Sequence, residues 1–139
     1  MASFTANQVG LSYPKRRDAM TLIVPIARTD SSTPKCVLPK DAVVCGIHVF
    51  QAAAAVTGAA SYNLGWSGAT TALLNAFSLP TSTVGLANSG SATGASFLTK
   101  LDSDKQVIGT FTVGTSSAGG TGYIVIEFFM PGGNEAVDD

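Results

Sequence analysis

The stretch Ala42-Val43-Val44-Cys45-Gly46-Ile47-His48-Val49-Phe50-Gln51 decides the fold class. Successive side chains of an extended chain point to opposite faces. Val43, Cys45, Ile47 and Val49 then share one side, and Val44, Gly46, His48 and Phe50 share the other. Both sides are largely apolar, as in a strand covered by a second sheet or by a neighbouring subunit.

Working outward, Ser61 to Trp66 alternates Tyr62, Leu64 and Trp66 with small polar residues. Gln106 to Gly114 sets Val107, Gly109, Phe111 and Val113 against Ile108, Thr110 and Thr112, and Tyr123 to Met130 forms a last apolar run. These two runs read as an antiparallel hairpin with a long Gly-rich loop. Thr21 to Arg28 is a further strand, placed at a sheet edge or a bulge because Pro25 cannot donate to a ladder. A turn follows at Asp30-Ser31-Ser32-Thr33-Pro34. Residues 52–60 are open between loop and helical turn, and Ser96 to Lys100 reads as one more short strand. One segment has helical spacing: Ala69, Ala72, Leu73, Ala76 and Phe77 predict a short helix over 69–77. The expected fold is all-β, an antiparallel β-sandwich (jelly-roll-like) with strands near 21–28, 42–51, 61–66, 106–113 and 123–130, an extended N-terminal arm and at most one or two short helices. Ile47, Val49, Leu64, Phe111, Ile124 and Ile126 are its expected core.

Composition agrees. The chain has 139 residues, one domain's worth, and only 12% of them are charged while 45% are hydrophobic. Disorder requires the opposite balance, and a helical bundle requires dense Glu, Lys, Arg and Leu. Ala, Thr, Gly and Ser make up 63 of the residues, which suits short strands and tight turns. So little charge leaves neutral patches on the surface, a property of protomers that assemble.

The net charge of −1 hides a gradient. Residues 1–40 carry six cations against two acids, and residues 41–139 carry two cations against seven acids. Residues 1–18 show no sustained periodicity and end in Lys15-Arg16-Arg17 before Asp18, so they read as an extended arm. The sandwich then spans 19–131, and 132–139 is an acidic tail. The basic run is too short, and lacks an aromatic platform, for a nucleic-acid partner. No stretch is long and apolar enough to span a membrane, and the first ten residues lack the basic and apolar regions of a signal peptide.

Few side chains suit catalysis. The single histidine, His48, sits mid-strand and reads as a core or interface residue. Asp102-Ser103-Asp104 contains two carboxylates that a Ca²⁺ ion accepts, yet it reads first as a solvated turn. Gly119-Gly120-Thr121-Gly122 opens a strand instead of the helix that a phosphate loop needs. No Cys/His set has metal-ligand spacing, and no cofactor is expected. Cys36 and Cys45 flank a turn that leaves a hairpin disulfide geometrically open, with reduced thiols the ordinary intracellular state.

Three segments carry a family resemblance: Val37-Leu38-Pro39-Lys40-Asp41-Ala42 leading into the 42–51 strand, Tyr62-Asn63-Leu64-Gly65-Trp66, and Gly122 to Pro131 with Glu127 as its one acid. Over about residues 20–131 the chain resembles the small β-sandwich decoration, or cement, proteins of tailed-bacteriophage heads. The resemblance implies a non-enzymatic virion structural protein on the capsid surface, assembled in the host cytoplasm. Its partners would be the major capsid protein and sister copies in a homotrimer. Independently of the resemblance, the charge gradient makes the arm the expected contact with an acidic shell surface or a neighbouring protomer, through Phe4, Val9, Leu11, Tyr13, Lys15, Arg16 and Arg17. Tail-fibre and head-fibre proteins share much of this pattern. A carbohydrate-binding module stacking sugars on Tyr62, Trp66 and Tyr123 is the reading from another class.

Overall fold

The computed structural model describes residues 19–81, 84–87 and 94–131, so the arm over 1–18 and the tail over 132–139 lie outside the described residues. Eight strands run in chain order: β1 (Met20–Ile26), β2 (Thr33–Leu38), β3 (Val43–Ala53), β4 (Ala60–Trp66), β5 (Ala69–Leu79), β6 (Gly85–Leu86), β7 (Lys105–Thr112) and β8 (Thr121–Phe129). They form two antiparallel four-stranded sheets, ordered β1-β8-β3-β6 and β2-β7-β4-β5. Consecutive strands fall in opposite sheets at every step except β4 to β5. That winding is the double Greek key of a jelly roll.

The edge positions follow from proline chemistry. Pro25 lies in β1 and Pro34 in β2, each the outermost strand of its sheet, where a missing N–H interrupts no ladder. β2 starts at Thr33, so the last two residues of the turn expected at 30–34 already belong to the strand.

Inward side chains from both sheets fill one core. Ile47, Val49, Leu64, Phe111, Ile124 and Ile126 are all buried, as their alternation required. β3 departs from simple alternation at two points: Ala52 is an extra residue between the pairs Gln51↔Gly122 and Ala53↔Thr121, and Cys45 is extra between Val44↔Phe128 and Gly46↔Glu127. The bulge at Cys45 turns Val44 into the core, where strict alternation had put it outside.

The helix expected over 69–77 is strand β5, and no helix occurs among the described residues. The cause is bulging. Between the pairs Leu64↔Leu74 and Tyr62↔Phe77, β4 advances two residues and β5 three. Between Trp66↔Ala69 and Leu64↔Leu74, β4 advances two and β5 five. Extra residues on one strand convert a period of two into apparent spacings of three and four. Ala76 takes φ 51° in the bulge, and its N–H donates to Asn63 Oδ1 at 2.6 Å. A two-residue turn, Ser67-Gly68 with Gly68 at φ 86°, joins β4 to β5 as a hairpin.

Two other expectations are corrected. β7 and β8 are no hairpin, because the loop between them, turned by Gly114, Gly119 and Gly120 at positive φ, carries the chain from one sheet to the other. Arg28 holds that loop: Nη1 donates to Gly119 C=O (2.9 Å) and Ser116 Oγ (3.2 Å), Nη2 donates to Ser116 C=O (2.9 Å), and the guanidinium lies over Phe111. Residues 95–98 form a turn instead of a strand, and Lys100 makes only an isolated bridge to Val43.

Cys36 and Cys45 belong to opposite sheets and both thiols are free. Burial pushes the Cys36 thiol up from its ordinary value, so little reactive thiolate forms near neutrality. With a chromogenic disulfide reagent at pH 8, Cys36 should react much more slowly in the folded protein than in the urea-unfolded chain. Equal rates would contradict its burial.

A buried polar network ties the first turn to the second sheet. Asp30 Oδ2 accepts from the Tyr62 hydroxyl (2.6 Å) and the Ala27 N–H (3.0 Å), while the Lys35 ammonium lies 2.9 Å from each carboxylate oxygen. Gly109 makes room for it, since a Cβ there would land on the Tyr62 hydroxyl. Desolvation, then the Asp30 hydrogen bond and charge, push the Tyr62 phenol well above its usual value. Below about pH 10 the phenol is protonated in both folded and unfolded chains. Above that, only the unfolded chain releases the proton, so this contribution to stability is lost as pH rises. Urea titrations should show the wild type losing stability more steeply above about pH 10 than Tyr62→Phe does.

Candidate functional site

An ordinary sandwich sheet presents polar side chains outward. The outer face of β1-β8-β3-β6 does not. Strand register aligns Pro25, Tyr123, Phe50 and Leu86 in one row across all four strands. The next row is Ile23, Val125 and His48, followed by Thr21, Glu127 and Gly46. Ile23 is 64% exposed, Leu86 65%, Tyr123 49% and Phe50 47%, far above what apolar side chains keep in a core. Ile23, Phe50, Tyr123 and Val125 together line a shallow groove with no polar surface.

The sequence builds this face because β1, β8 and β3 carry apolar residues in both phases of their alternation. The inward phase fills the core, and the outward phase has no covering element among the described residues. The one carboxylate on the four strands, Glu127, is paired with His48 (Nε2···Oε1 3.2 Å) at the margin of the groove. The face is therefore nearly charge-free and suited to an apolar partner.

Other candidates resolve differently. Asp102 is held below the usual carboxylate range by the adjacent Lys105 ammonium (3.3 Å), while Asp104 Oδ1 accepts from the Lys40 N–H (2.8 Å). The two carboxylates serve separate contacts in a solvated turn, and no group of three metal-ligating side chains forms among the described residues. Gly119 and Gly120 occupy the loop that Arg28 holds through carbonyl oxygens. His48 is an exposed strand residue at the β3 end of the row that holds Ile23 and Val125.

The three aromatic residues considered for sugar stacking are not brought together. Tyr62 is buried and bonded to Asp30, Trp66 is buried under the Lys105 ammonium (5.7 Å to the ring centroid), and Tyr123 alone is exposed, on the other sheet. The expected contact residues Phe4, Val9, Leu11, Tyr13, Lys15, Arg16 and Arg17 lie outside the described residues. Sequence reasoning noticed the two-sided apolar character of β3 but not the face as a unit. Its signal was the shared outward phase of Ile23, Phe50, Tyr123 and Val125. Searches against protein-family models, curated proteins and solved structures find no match to this chain.

Proposed function

We propose that this chain is a non-enzymatic capsid decoration, or cement, protein of a tailed-bacteriophage head, bound to the major capsid protein on the capsid surface as a homotrimer. The observation that carries the reading is the apolar outer face of β1-β8-β3-β6, an association surface on a chain with only 12% charged residues. The jelly-roll winding supports it at the level of fold, since viral capsid domains share that architecture, as do lectins. The sequence resemblance over about residues 20–131 supplies the specific class.

Such a protein stabilises by mass action. It binds the assembled lattice and not the separated subunits, so every bound copy shifts the equilibrium toward the shell. An arm ending in Lys15-Arg16-Arg17 adds contacts with carboxylates of the shell or of a neighbouring copy, since the arginine fork makes two parallel hydrogen bonds.

Antibody raised against the recombinant chain tests this reading. Gold label should decorate the heads of tailed particles from the source culture, and the chain should co-sediment with heads but not with unassembled capsid subunits. Label on tails or fibres would select the fibre reading, and particles without label would overturn both.

A further inference from the structure

We propose that the apolar outer face of β1-β8-β3-β6 is covered by the N-terminal arm of a neighbouring copy of this chain. The inference concerns the isolated protein and does not depend on the capsid reading.

Three observations select this occupant. The first is chemical fit. The face offers Ile23, Pro25, Phe50, Leu86, Tyr123 and Val125 in two adjacent rows, with Glu127 as the one carboxylate at their margin. The arm offers Phe4, Val9, Leu11 and Tyr13, followed by Lys15-Arg16-Arg17. Val9, Leu11 and Tyr13 stand two apart, the spacing that turns all three side chains to one side when a chain is extended. The basic run then stands a few residues from the apolar anchors, as Glu127 stands one row from Val125.

The second observation is reach. The arm joins the sandwich at β1, the edge strand of this same sheet. Eighteen residues span up to roughly 60 Å when extended, while four paired strands are roughly 20 Å across. The arm is therefore long enough to leave its own sheet and cross another.

The third is direction. Met20 pairs with Phe128, at the end of β1 farthest from the row of Pro25, so the chain enters the sheet from that end. To cover its own face the chain would have to reverse within residues 14–19, which would crowd the like charges of Lys15, Arg16 and Arg17 into one turn. Continuing onward delivers the arm to another protomer. Arm-onto-face is a heterologous contact, the kind that closes into a ring such as a trimer when the rotation permits.

Disulfide trapping between full-length chains tests the proposal. Two differently tagged chains, both Cys36→Ala and Cys45→Ala, are co-expressed, one carrying Leu11→Cys and the other Tyr123→Cys. Because Tyr123 is half exposed, its replacement leaves the core intact, and the circular-dichroism melt of each chain verifies folding. Mild oxidation should link the two tags, and adding Phe50→Lys to the second chain should reduce the linked product at least tenfold. A control with Val37→Cys, exposed on the opposite sheet, should give no such product. Absence of the linked product would overturn the proposal. So would equal linkage to Val37→Cys, or a bond formed only within a chain carrying both Leu11→Cys and Tyr123→Cys.

Discussion

Replacing Asp30 with alanine should destabilise the protein by about 3–5 kcal/mol, the usual result of removing one partner from a buried charge pair. Asp30 is 5% exposed and accepts from the Lys35 ammonium, the Tyr62 hydroxyl and the Ala27 N–H at once. Its removal leaves a cation and a phenol without their acceptor inside the sandwich, and both groups then carry an uncompensated desolvation cost. Tyr62→Phe should be milder, about 1–2 kcal/mol, because the carboxylate keeps its other donors. Urea denaturation followed by circular dichroism distinguishes the two. If Asp30→Ala and Tyr62→Phe cost the same, the Lys35 pair contributes nothing and the network is misassigned.

Truncating two isoleucines that lie on opposite sides of one sheet should have opposite consequences. Ile126 is fully buried in β8, and Ile126→Ala should cost about 2–5 kcal/mol through lost burial and the cavity left behind. Ile23 in β1 is 64% exposed, so Ile23→Ala should leave the protomer's own core as it was. Its effect should appear in self-association, as a higher protein concentration needed to hold the oligomer. Thermal melting at high dilution reads the first effect, and sedimentation across a concentration series reads the second. Equal loss of protomer stability from both substitutions would mean that the outer face belongs to the core.

The strands that alternate cleanly were legible in the sequence. β4, β7 and β8 lie within two residues of their expected bounds, and of the edge or bulge that Pro25 allowed for β1, the sheet order selects the edge. β5 was not legible, because its bulges impose apolar spacings of three and four on an extended chain. A local signal did exist in Ser67-Gly68, the turn of a two-residue hairpin between Trp66 and Ala69. β6, with two residues, is too short to show any period. The β7–β8 hairpin was misread for a different reason: which sheet a strand joins is a long-range property that adjacency along the chain does not encode. Half of the interaction surface was legible in the two-sided pattern of β3. The other half needed the register that sets Tyr123 beside Phe50 and Val125 beside His48.

Self-association through that apolar face is the central claim, and sedimentation velocity of the purified full-length chain at tens of micromolar tests it most directly. The account predicts a single boundary at the mass of three 14.1 kDa chains, shifting toward one chain in Phe50→Lys with Tyr123→Lys. A wild-type chain that sediments as a 14.1 kDa monomer across that range would contradict it.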